Sequence, residues 1–101
     1  MYIEMLKLEE TEIYVVYRFQ TNIWEMQPDK DEKLREMLVT KYGVCKFNKI
    51  SFGFELDKDK TDQCFFKWPY EAHVELAHMK LIRLHRAGLG FPDWTGAMTG
   101  G

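Results

Sequence analysis

Two stretches of the chain alternate strictly between positions that can face a core and positions that can face water. Ile13, Val15, Tyr17 and Phe19 alternate with Tyr14, Val16, Arg18 and Gln20. β-Branched and aromatic residues fill both sets, which predicts a well-covered strand over 13–20. Residues 2–8 read as a strand before it, and the polar Glu9-Glu10-Thr11-Glu12 between them predicts an antiparallel hairpin. The extended chain can continue through Asn22, Ile23 and Trp24. Further on, Ile50, Phe52, Phe54 and Leu56 alternate with Ser51, Gly53 and Glu55, predicting a strand with a bulge or close approach at Gly53. Val44 to Phe47 is either the tail of that strand or a separate strand turned at Asn48-Lys49, and periodicity leaves both open.

Elsewhere the period lengthens. Leu34, Met37, Leu38 and Tyr42 fall at spacings of three and four, behind Pro28 and a capping-box pair, Asp29 and Glu32, and ahead of Gly43 as a terminator. This predicts an amphipathic helix over 29–42. The charged loop Asp57 to Asp62 leads to an extended Gln63–Trp68, because Trp68 precedes Pro69. A second helix then runs from Pro69 to about Arg86 and ends at Gly88 and Gly90. Its apolar stripe is Val74, Ala77, Leu81, Leu84 and Gly88. The expected fold class is α+β: an antiparallel sheet of about four strands with two amphipathic helices, in the order β-β-α-β-β-α. Residues 1–94 form one domain, and the Gly- and Thr-rich 95–101 form a flexible tail.

Composition narrows the function classes. With 101 residues, 46% of them hydrophobic, the chain can build one packed core. A formal net charge of −2 provides no global field for phosphate backbones, so nucleic-acid binding would need a local patch. Cys45 and Cys64 lack CxxC spacing, and the simplest reading is two reduced thiols in a cytoplasmic protein, with one disulfide as the alternative. The N-terminus has no signal-peptide core, and no apolar run reaches the ~20 residues of a membrane helix.

All three histidines fall within HVELAHMKLIRLH, residues 73–85. On a helix His78 and His85 share a face but stand about 10 Å apart along the axis, too far to chelate one ion locally. His73 points away from both. No metal ligand set, cofactor site or catalytic group is expected, and no GxSxG elbow or phosphate loop occurs. Glu71, Glu75, His78 and His85 cluster on one arc of the wheel, with Met79, Ile82 and Arg86 alongside. This arc is the candidate partner surface, read against an ordinary solvated face. Glu9, Glu10 and Glu12 at the first turn, with Asp57 and Asp59 at another, form a candidate acidic rim that could steer a basic partner.

The run GVCKFNKISFGFEL, followed by a helix and by Gly90-Phe91-Pro92-Asp93, resembles a strand–turn–strand unit of small uncharacterised bacterial proteins with a closing Gly-x-Phe-Pro-Asp element. The resemblance covers residues 43–94 and departs at the helix expected over 29–42 and at the glycine-rich ending. It implies a small accessory protein of the kind that includes toxin-neutralising immunity proteins. The expected function is therefore a non-enzymatic protein-binding or inhibitor protein, most specifically an immunity-type protein neutralising a bacterial toxin. The alternatives are a small hydrolase or metal-dependent enzyme using Glu75 and His78, and a nucleic-acid-binding module using Lys41, Lys46, Lys49, Arg83 and Arg86. A protein partner is expected, with a homodimer as a further association, and neither nucleic acid nor membrane.

Overall fold

A computed structural model describes residues 1–99. Five strands form one antiparallel sheet: β1 (Tyr2–Glu10), β2 (Tyr14–Pro28), β3 (Leu34–Asn48), β4 (Phe54–Leu56) and β5 (Trp94–Met98), in the spatial order β4-β3-β2-β1-β5. One helix, α1 (Glu71–Ala87), and two 3-10 turns, Lys58–Lys60 and Gln63–Phe66, complete the described chain. The sheet has a covered face and an open one. On the covered face Ile3, Met5, Val15, Tyr17, Phe19, Cys45 and Phe47 pack against Phe65 of the second 3-10 turn and against Leu76, Ala77 and Leu81 of α1. Burying a large aliphatic or aromatic side chain stabilises by about 1.5–3 kcal/mol, so these positions supply most of the driving force.

The first hairpin forms as the alternation predicts, except that Ile13, expected to open the second strand, sits exposed in the turn and β2 runs on from Tyr14 to Pro28. Thr11 closes it, its hydroxyl oxygen accepting from Ile13 N at 3.1 Å and Tyr14 N at 3.0 Å. The expected helix over 29–42 does not form, and the order β-β-α-β-β-α with two amphipathic helices is corrected to one helix on a five-stranded sheet. Residues 34–48 are β3, paired with β2 from Tyr14–Asn48 to Pro28–Leu34. The local signals were real but served a different structure. Asp29 Oδ1 accepts from Asp31 N at 2.8 Å and Lys33 N at 2.9 Å, so the carboxylate that resembled a helix cap closes a β-hairpin loop. Glu32, the other half of the supposed capping box, sits at φ 60° in that loop. Gly43 terminates nothing: it lies opposite Phe19, where an added Cβ would stand 2.3 Å from the ring's Cζ. The glycine is there to make room for the aromatic.

The region 44–56 is a hairpin rather than one strand. Asn48 turns it, its Oδ1 accepting from Ile50 N and Ser51 N at 2.8 and 3.0 Å, and Phe52 adopts φ 63°. Only Phe54–Leu56 of the expected 50–56 strand pairs with β3. Gln63–Phe66, expected to be extended, is a 3-10 turn capped by Asp62, whose carboxylate accepts from Cys64 N at 2.9 Å. The helix ends at Gly88, which takes the left-handed conformation at φ 68°. Residues 94–98, mostly within the expected tail 95–101, form edge strand β5 against β1 from Tyr2–Met98 to Leu6–Trp94. The rest of that tail after Thr99 lies outside the described residues. The hydroxyl of Tyr17 donates to the Pro92 carbonyl and fastens the segment between α1 and β5 to the core.

Candidate functional site

Glu71, Glu75, Met79 and Arg86 of α1 face outward. His78, Ile82 and His85 do not stand with them at the surface: the two histidines turn toward β4 and the Asn48–Phe52 turn. The His78 ring stacks on Phe54 with centroids 4.7 Å apart, and its Nε2 lies 3.0 Å from the Phe52 carbonyl oxygen. His85 packs edge-on to Phe52 at 4.9 Å and stacks on Phe91 at 6.0 Å. Ile82 packs on the core cluster. The wheel placed these groups on a common arc but could not say that an aromatic wall lies across from it. His78 makes its hydrogen bond to that wall, and no Glu75–His78 hydrogen bond occurs among the described residues. His73 lies against Phe65 and Tyr70, and its burial lowers its pKa from 6.5.

The acidic rim is partly neutralised from within. Glu10 receives Lys49 Nζ at 2.7 Å and Lys7 Nζ at 2.8 Å, and the Lys49 hydrogen bond leads in holding its pKa down. Glu9 accepts from the Tyr14 hydroxyl at 2.8 Å, and Asp57 Oδ1 accepts from Asp59 N at 3.0 Å. Glu12 and Asp59 are exposed. The basic set is likewise dispersed. Lys41 pairs with Glu25 and Asp62, Lys46 sits 4.0 Å over the Tyr14 ring, Lys49 is held by Glu10, and Arg83 and Arg86 are exposed neighbours on α1. No group of three His, Cys, Asp or Glu side chains suited to a metal ion occurs among the described residues. Both cysteines are free thiols, and burial pushes each up to a pKa of about 12.

What the sequence reading missed is the open face of the sheet. Strand pairing sets its side chains in rows. Trp94, Leu6, Arg18 and Val44 make one row, and Gly96, Glu4, Gln20 and Tyr42 the next. Met98 stands beside Tyr2, Asn22 beside Thr40, and Trp24 beside Leu38. Arg18 lies 5.2 Å over the Tyr42 ring. Most of the large apolar members of this face are exposed, Trp24 at 60% and Trp94 at 59%. The period-two alternation was a usable signal: Tyr14, Val16, Trp24 and Met26 are too apolar for a merely solvated side.

At the hairpin end of this face the rows open into a cavity of about 420 Å³. Leu8, Val16, Val44 and Leu56 line it with apolar surface, and Glu9 and Asp57 of the expected rim stand on its edge with Glu55, Lys46 and Lys60. The β1–β2 pairing slips between Lys7 and Glu9, which sets Glu9 opposite Val16 on the open face beside Leu8. Apolar walls with a rim of mixed charge can take a partner's side chain and hold its polar tip. No protein-family model, curated protein sequence or solved structure matches the chain. No helix among the described residues is long and apolar enough to cross a membrane.

Proposed function

We propose that the protein is a non-enzymatic binding domain of the inhibitor or immunity type, which holds a protein partner at the cavity end of its open sheet face. The observation that carries this reading is the cavity itself: an open pocket on an exposed face, lined by Leu8, Val16, Val44 and Leu56 together with Glu9, Glu55, Asp57, Lys46 and Lys60. Interface hot spots take this form, with an anchoring side chain buried in a pocket and polar groups around it. Acids outnumber bases on the rim, which favours a partner that presents a basic or amphipathic side chain such as arginine. The likeness of residues 43–94 to small bacterial accessory proteins makes a toxin the natural partner.

The test is neutralisation of the product of the adjacent gene, since immunity proteins are encoded beside their toxins. Co-expression of this chain should rescue growth, and purified chain should form a 1:1 complex. Leu8→Glu places a charge in the pocket and should weaken that complex by roughly 30-fold or more, the scale of a lost hot spot. Met79→Glu, on the outward side of α1, should change it less than threefold. Undiminished binding by Leu8→Glu, or an adjacent product that is harmless, would remove the proposal.

A further inference from the structure

The β2–β3 ribbon runs well past the rest of the sheet. The register of β1 with β2 ends at Glu4–Gln20, and β4 pairs with β3 only over Cys45–Phe47. Beyond Trp24–Leu38 the sheet is two strands wide, closed by the loop at Asp29. A two-stranded ribbon alone is marginal in water and needs something packed on it. This one shows apolar side chains on the open face: Trp24 beside Leu38, Met26 beside Glu36, and Pro28 beside Leu34. Leu34 is 66% exposed and Leu38 55%. Toward the body the same face continues into Tyr2, Met98 and Tyr42.

We infer that this ribbon end of the open face docks on the same patch of a second copy of the chain, forming a two-fold dimer. The cavity at the other end of the face stays outside the contact, so the inference does not depend on the proposed function. Area is the first argument. From their fractional exposures, the seven large apolar side chains between Tyr2 and Leu34 present on the order of 900 Å². A standard stable interface takes about 800 Å² from each partner.

Charge is the second argument. On the open face from Asn22–Thr40 outward to Leu34, Glu36 is the one acidic or basic side chain among the described residues, and the Tyr42 row next to it adds Glu4, with Arg18 lying over the Tyr42 ring. A patch so close to neutral does not repel its own copy, as a two-fold contact requires. The third argument concerns polar groups that the contact would cover. Thr40 Oγ1 donates to Asn22 Oδ1 at 2.7 Å, and Gln20 Nε2 donates to Glu4 Oε2 at 3.1 Å. Covering these side chains leaves the Thr40 hydroxyl and one Gln20 amide N–H with partners already in place.

The test is the solution mass of the full chain by sedimentation from about 1 to 100 μM, a range that brackets micromolar association. The expected mass at the top of the range is twice the 12.1 kDa of one chain. Trp24→Glu combined with Leu38→Glu should weaken association at least 100-fold, with an unchanged far-ultraviolet dichroism spectrum. Met79→Glu should leave association unchanged. A wild-type mass of 12.1 kDa at 100 μM overturns the proposal, and so does a folded double variant that associates within threefold of wild type. Should the double variant not fold, Trp24 itself decides. With Trp68 and Trp94 replaced by phenylalanine, its emission should shift to the blue as the dimer forms, and an unshifted spectrum overturns the contact.

Discussion

Alanine at position 43 tests the register, the core and the failed helix in one experiment. Taken alone, glycine inside a strand is destabilising by roughly 0.5–1 kcal/mol relative to alanine, so Gly43→Ala should be mildly stabilising on backbone grounds. The structure reverses the sign. An alanine Cβ would lie 2.3, 2.7 and 2.8 Å from three atoms of the Phe19 ring. That ring is fully buried and stands edge-on to Phe65 at a centroid distance of 5.0 Å, so it has little room to retreat. Overpacking typically costs 1–3 kcal/mol, and three contacts below 3 Å place this one near the upper end, about 3 kcal/mol. With a urea dependence of about 1.5 kcal/mol per molar, the midpoint should fall by about 2 M. The double variant Gly43→Ala/Phe19→Leu removes the ring atoms that clash. It should be at least about 1 kcal/mol more stable than the sum of the single losses predicts. Urea melts followed by tryptophan fluorescence and circular dichroism measure both quantities. A Gly43→Ala midpoint equal to or above wild type, or strict additivity in the double variant, would refute the packing of Phe19 over Gly43.

Two further expectations come from titratable groups. Burial lowers the His73 pKa from 6.5, so the unfolded chain binds this proton more readily than the folded one. The associated stability is intact above pH 6.5 and is lost as the pH falls from there toward the depressed folded-state value. Urea midpoints measured from pH 7.5 to 5.5 should fall, and His73→Leu should flatten that slope; an equally steep slope in the variant would assign it elsewhere. Glu10 and Asp62, whose pKa values are lowered from 4.5 and 3.8, act only at lower pH and do not blur this window. The two thiols, raised to about 12 by burial, should resist alkylation at pH 8 in the native protein and react fully in urea. Rapid native labelling of Cys45 would contradict its place in the core.

Much of the molecule was legible along the chain. The alternation of Ile13 to Gln20 identified β2 because a half-covered strand must repeat every two residues. The apolar stripe through Ala77 and Leu81 and the stop at Gly88 marked α1 because buried face and left-handed stop are local requirements, although the helix starts at Glu71 rather than at Pro69. The acidic turns were visible too, although not that Lys7 and Lys49 would hold Glu10. The long open face escaped notice, since no single residue on it is unusual and only strand pairing sets Tyr2, Trp24, Leu38 and Tyr42 side by side.

By itself, then, the sequence determined the first hairpin, the helix after Pro69, and a part of the core, Val15, Tyr17 and Phe19 with Ala77 and Leu81. Tertiary structure alone decided residues 29–43. There a spacing of three and four at Leu34, Met37, Leu38 and Tyr42 coexisted with a period of two, and Asp29 and Gly43 suited either outcome. Pairing along the whole of β2, with Gly43 admitting Phe19, selected the strand. Contact with Phe52, Phe54 and Phe91 likewise took His78 and His85 from an expected surface to a half-buried seam. In both places a deciding partner, Phe19 for Gly43 and Phe52 and Phe54 for the histidines, lies far away in sequence, and a local pattern carries no information about it.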